Sequence, residues 1–158
     1  MPKFDALEFL RELAFTFFTA MIPVVELRGA IPFGIGLGLP PLYAYIAAVL
    51  GNLVPAPFII LLIRKIFALL RRVQSFDSLI TRLEKKAEKK GEIIQKYRAL
   101  GLIILVAIPL PGTGAWTGAL AAAFLNIRLR HALPEILLGL LIAGGIVLGI
   151  SCGVFHFI

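Results

Sequence analysis

The sequence is poor in the residues on which most aqueous chemistry depends. Its 158 residues include one cysteine, two histidines, two asparagines, two glutamines and one tryptophan, and nine acidic side chains stand against sixteen Lys and Arg. A lone Cys152 excludes an intramolecular disulfide framework. His131 and His156 are isolated, without metal-ligand spacing, and no nucleophile–base–acid set is visible. No metal site, cofactor or enzymatic activity is therefore expected. The stretches GIGLGL (34–39) and GTGAWTG (112–118) lack G-x-G-x-x-G spacing, and no Gly-Lys-Ser/Thr follows them, so nucleotide loops are excluded as well. The scarcity of Asn, Gln, Met and Cys beside abundant Lys, Arg and Glu is compatible with a thermophilic source.

What is abundant is apolar. Hydrophobic residues make up 59% of the chain and the mean hydropathy is +0.96, well beyond the roughly 45–50% apolar content of soluble domains. The solvent is a membrane. The N-terminal apolar run does not read as a signal peptide. Lys3, Asp5, Glu8, Arg11 and Glu12 give it a mixed n-region, and no small-x-small cleavage site follows. It is expected to remain in the mature protein.

The net charge of +7 is localised. From Arg64 to Arg98 there are eleven Lys or Arg and four acids, a local excess of seven. A basic loop between apolar segments is explained by the positive-inside rule rather than by nucleic acid. Residues 64–98 are placed in the cytoplasm of a multi-pass cell-membrane protein, with Arg64, Lys65, Arg71 and Arg72 among anionic lipid headgroups.

Along the chain, residues 3–12 put Phe4, Leu7 and Leu10 on one stripe and read as an interfacial amphipathic helix. An apolar stretch, 13–39, follows and is interrupted by PVVELRGAIP (23–32). Residues 42–63 are long enough to span, with a kink or local unwinding at GNLVPAP (51–57). Residues 75–98 form Lys/Glu-rich amphipathic helical pieces divided at Gly91. Stretch 100–125 is broken at Pro109, Pro111, Gly112 and Gly114, and 134–157 is a final apolar helix. The order amphipathic helix, broken segment, spanning helix thus occurs twice, over 1–63 and again through 64–98 and 99–158. Ile22-Pro23 and Ile108-Pro109 open the two breaks, 86 residues apart. Interrupted segments at corresponding positions indicate an all-α membrane fold with an inverted repeat and a binding site at the breaks.

The pieces flanking the second break, 100–108 and 115–125, are roughly 14 and 16 Å of helix, about half of a hydrocarbon core each. Lys96 and Arg98 precede this segment and Arg128 and Arg130 follow it. A hairpin that dips in and returns keeps both basic flanks in the cytoplasm, whereas a crossing segment does not. Re-entrant hairpins over 13–39 and 100–125, entering from opposite faces, are favoured, with both termini outside.

Irregular backbone at membrane depth is tolerated where it lines a cavity or is buried in protein, and half-helix ends there offer N–H groups and carbonyls to ligands. Thr113 and Thr117 add hydroxyls, and Trp116 an aromatic face. Glu26 and Arg28 are the charges inside the apolar segments, and each needs a partner or a purpose. Either they neutralise each other, or Arg28 ties down carbonyls of the break, or Glu26 is a protonatable coupling site and Arg28 a partner for an anion or a counter-ion. Asn52 is a further polar candidate. Gly145, Gly149 and Gly153 form a tandem G-x-x-x-G, used for close packing in a homo-oligomer or against the chain's own hairpin, and the second is favoured.

At PVVELRGAIPFGIGLG, GNLVPAPF and PLPGTGAWTGA the chain resembles the small multi-drug export protein family, itself similar to the wider DedA-like membrane proteins. The resemblance covers essentially the whole chain. It implies paired re-entrant hairpins, amphipathic helices and transport, since relatives are associated with lipid-carrier translocation, lipid scrambling and drug-resistance phenotypes. By motif match it carries over Glu26, Arg28, Gly29, Pro32, Asn52, Pro55, Pro109, Pro111, Gly112, Thr113, Gly114 and Trp116. The expectation is a polytopic transporter or lipid translocase, ion-coupled, with a small-molecule or lipid substrate held at the midplane between the hairpins. The rivals are a non-transporting membrane scaffold and a passive lipid scramblase.

Overall fold

The computed structural model describes residues 5–70, 91–110 and 112–157. Among these there is no strand. Seven helices follow one another: α1 (Ala6–Met21), α2 (Glu26–Gly36), α3 (Pro41–Leu53), α4 (Pro55–Leu70), α5 (Gly91–Ala107), α6 (Ala115–Phe124) and α7 (Leu129–Phe157).

Of the separate helix expected at 3–12, residues 6–12 are instead the start of α1, which runs unbroken to Met21, and Lys3 and Phe4 lie outside the described residues. Residues 12–14, Glu-Leu-Ala, are all good helix formers, and nothing ends the helix before the Ile22-Pro23 step. In the same way α5 starts at Gly91 and continues through Arg98 into the apolar stretch. The remainder of the amphipathic region expected over 75–98 lies outside the described residues, as do Arg71 and Arg72.

Among the described residues two helical spans are long and apolar enough to cross a membrane, Pro41–Leu69 and Leu129–Gly153. The first joins α3 to α4. Pro55 and Pro57 withdraw two backbone donors there, yet Val54 keeps right-handed helical dihedrals, φ −56 and ψ −44. The expected interruption is therefore a local loss of hydrogen bonds without unwinding.

The interior combines many alanines with larger aliphatic side chains such as Leu27, Ile31, Ile60 and Leu140. Ala20, Ala30, Ala44, Ala48, Ala56, Ala119 and Ala122 are all fully buried, while Leu7 is 81% exposed and Phe58 68% exposed. Small residues let helix backbones approach closely, and large apolar side chains turned outward suit a lipid surround. On α1 the buried residues are Glu12, Thr16 and Ala20, spaced four apart. α1 packs on α2 and α3, α5 on α7, α6 on α4, and α3 on α7.

The elements fall into two runs of the same order, α1–α4 and α5–α7. Each short helix ends in the same way. Gly38 (φ 103) and Asn126 (φ 53) adopt left-handed backbone just past α2 and α6. Gly38 N–H bonds Ile35 O and Leu39 N–H bonds Gly34 O, while Asn126 N–H bonds Ala123 O and Ile127 N–H bonds Ala122 O. Both are Schellman ends. The breaks also match, since Glu26 (φ 50) and Gly112 (φ 82) are both left-handed and stand 86 residues apart.

Candidate functional site

The first break is a tight turn between two antiparallel arms. Pro23 cannot donate, and the turn closes through Glu26 N–H to Ile22 O at 2.9 Å and Gly29 N–H to Val25 O at 3.0 Å. Glu26 enters α2 with positive φ, which costs a residue bearing a Cβ about 1–2 kcal/mol. Strain of this kind persists only where surrounding contacts hold it.

Those contacts come from the other half of the chain. The Glu26 carboxylate, 4% exposed, accepts a hydrogen bond from the backbone N–H of Trp116. Trp116 is the second residue of α6, whose N-cap, Gly114, supplies no side-chain cap. The first N–H groups of a helix have no partner within it and carry its positive dipole end. Glu26 therefore caps α6 through Trp116, 90 residues away in sequence. A Cβ on Gly114 would lie 1.9 Å from Glu26 Oε2 and 2.5 Å from Cδ. The glycine is the space the carboxylate fills.

Arg28 goes to the opposite end of the second break. Its Nη2 donates to Thr113 Oγ1 at 2.9 Å and to Ile108 O at 3.3 Å. Ile108 O lies just past α5, at the negative end of that helix. Thr113 Oγ1 is also within 2.7 Å of Ile108 O and 2.9 Å of Leu110 O, in a turn where Pro109 offers no donor. Thr117 Oγ1 donates to Gly112 O, and Trp116 Nε1 donates to Met21 O at 3.2 Å, closing the end of α1.

The two breaks thus interlock, with an acid on a helix N-terminus and a base on a helix C-terminus. Among the described residues no ion pair joins Glu26 to Arg28. Of the alternatives left open by the sequence, Arg28 does tie down a break carbonyl, and it is the other break's. Gly112, Thr113, Gly114, Trp116 and Thr117 all belong to this junction, and Pro109 lies within it. Pro111 lies outside the described residues. Pro32 sits inside α2 and Gly29 on its first turn, where a Cβ would come 2.4 Å from Val25 Cγ1.

Asn52 is fully buried on α3, and neither atom of its amide has a hydrogen-bond partner among the described residues. Its neighbour Gly51 lies against Phe17 O and the Ala20 Cβ, at the last turn of α1 before the break. Asn52 is therefore at the depth of the junction without bonding to it.

Gly145, Gly149 and Gly153 do not pack within the fold as expected. A Cβ on any of them would meet no described residue within 4 Å. The close contacts of α7 fall to Gly139, against Val106 and Ile103 O, and to Gly144, against Tyr45. The inward stripe of α7 carries Ile136, Leu140, Ala143 and Val147, and the G-x-x-x-G residues lie on another face. Arg64, expected among headgroups, is half-buried and its Nη2 donates to Ile127 O, while Lys65 is exposed. Two features were missed in the sequence. Glu12 and Thr16 are buried, and their i, i+4 spacing with Ala20 was the available signal.

The family model described as "Putative small multi-drug export protein" matches residues 26–146, from the strained acid at the first break into the last helix. No curated protein and no solved structure matches the chain.

Proposed function

Because the chain belongs to the small multi-drug export family, a family named for export across membranes, we propose that it is a transporter whose working site is the junction of the two breaks. The observation that carries this reading is the buried Glu26 carboxylate held on the N-terminus of α6. A buried acid at membrane depth is costly unless it has a task, and half-helix ends are where transporters place substrate and ion sites. The repeated element order supports two hairpins that enter from opposite faces and meet near the midplane, in an inverted repeat. Glu26 is the protonatable coupling group, and Arg28 with Thr113 the polar partner for a substrate headgroup. A lipid phosphate or another amphiphilic anion suits that partner, because guanidinium binds such groups through paired donors.

Reconstituted full-length protein tests this. Flux or flip of lipid phosphates, cations and protons should exceed that of empty vesicles and depend on pH, and Glu26→Gln should abolish the pH dependence while leaving folded yield nearly intact. Wild type indistinguishable from empty vesicles would leave the scaffold reading. Lipid flip that ignores ions would make it a passive pathway. The scaffold reading draws on one feature, namely that Glu26, Arg28 and Trp116 all make static bonds between the halves.

A further inference from the structure

The second hairpin leaves a gap that the first does not. Between α1 and α2, a Cβ on Gly34 would come 2.6 Å from Thr16 Oγ1 and 3.0 Å from the Ala44 Cβ, so those arms are closed against each other. The arms α5 and α6 touch near their break, where a Cβ on Gly118 would lie 2.5 Å from Val106 Cγ2. Further from the break they part. A cleft of about 310 Å³ opens there, with Gly101, Leu102 and Leu105 on one side and Ala121 and Leu125 on the other. A Cβ on Gly101 would meet no described residue within 4 Å. The missing side chain is part of the opening.

The end of the cleft away from the break is formed by Tyr97 and Arg98. Tyr97 is 69% exposed, as suits an aromatic ring at a membrane–water boundary. Arg98 is half-buried, and it has no hydrogen bond or ion pair among the described residues. A guanidinium that loses hydration without gaining a carboxylate favours an anion beside it, and its planar fork suits a phosphate. The apolar walls select a hydrocarbon chain, and a volume near 300 Å³ is that of a small ligand pocket. The charged end selects an anionic head and disfavours lipophilic cations.

We propose that the cleft between α5 and α6 binds an anionic phospholipid, with an acyl chain lodged between Gly101 and Ala121 and the phosphate on Arg98. This rests on the membrane placement described above and is independent of transport. The ligand comes from the bilayer itself, and the site lies at the open base of the hairpin, away from the Glu26 junction.

The test uses the full chain in vesicles containing phosphatidylglycerol or phosphatidylcholine with a photoreactive group on the acyl chain, and maps the label by peptide. Wild type should be labelled over 97–105 and 121–125, about fivefold more by the phosphatidylglycerol probe. Arg98→Gln should bring that probe down to the phosphatidylcholine level. Gly101→Phe, which fills the cleft, should lower labelling by both probes about tenfold. Competition in wild type needs no variant: excess unlabelled phosphatidylglycerol should remove the label, and phosphatidylcholine should leave most of it. Equal labelling by the two headgroups, or label that survives Gly101→Phe in folded protein, overturns the proposal. Flux is read separately. Labelling without flux would fail the transport reading alone, and flux without labelling would fail this one alone.

Discussion

Glu26 and Gly114 share one volume: the Cβ that residue 114 lacks would lie 1.9 Å from Glu26 Oε2. The acid that begins α2 thereby becomes the cap of α6. A side chain at 114 and the carboxylate of 26 cannot both be where they are.

Gly114→Ala should therefore destabilise the fold by roughly 1–3 kcal/mol, the usual cost of overpacking a closed site. Gly145→Ala, with nothing within 4 Å, should change stability by less than about 0.5 kcal/mol. Thermal unfolding of the two variants in the same detergent makes the comparison. Equal midpoints would mean that the carboxylate does not sit against residue 114.

Glu26 and Arg28 grip different helix ends but also feel each other's charge, so part of what each loses is shared. Glu26→Ala and Arg28→Ala should each cost on the order of 1–2 kcal/mol, and the double variant should fall short of their sum by roughly 0.5–1 kcal/mol. A double variant more stable than either single one would show that the two charges neutralise each other after all.

Asn52 buries an amide without partners among the described residues, an arrangement that costs about 1–3 kcal/mol. Asn52→Leu should leave the unfolding midpoint unchanged or raise it, while reducing flux in reconstituted vesicles. A drop in stability with flux intact would make Asn52 a structural residue.

Removal of one donor tests the junction from its other side. Trp116→Phe keeps a ring but loses the Nε1 bond to Met21 O, at an expected cost of about 0.5–1.5 kcal/mol. Gly112→Ala, forced to hold φ 82, should lose about 1–2 kcal/mol by backbone strain. If Gly112→Ala is neutral in chemical denaturation, the left-handed turn at the second break is wrong.

Topology can be read at two positions. With Cys152 replaced and single cysteines placed at Lys3 and His131, re-entrant hairpins put position 3 outside and position 131 in the cytoplasm. Full crossing by both broken segments reverses the two. An impermeant thiol reagent on intact cells should label 3 and spare 131. Labelling of 131 with 3 protected would remove the opposed hairpins and the midplane site with them.

The two long spans, the two breaks and the polar residues at them were legible in the sequence because each is a local property. Hydropathy over about twenty residues sets what can span, and a proline withdraws its donor wherever it stands. The 86-residue spacing of Ile22-Pro23 and Ile108-Pro109 likewise appears again as matching left-handed residues, Glu26 and Gly112.

Tertiary structure alone decided what those local features do to one another. No pattern around Glu26 names Trp116 as its donor, and no pattern around Arg28 names Thr113 and Ile108 O. A run of glycines at i, i+4 marks a face of α7 without saying whether the fold covers it, and the fold covers Gly139 and Gly144 instead of Gly145, Gly149 and Gly153. A helix end needs a partner for its bare N–H groups or carbonyls, but it takes that partner from whatever chain lies within about 3 Å. Here that chain is the other break, so the identity of each cap was set by packing across the molecule and not by its neighbours in sequence.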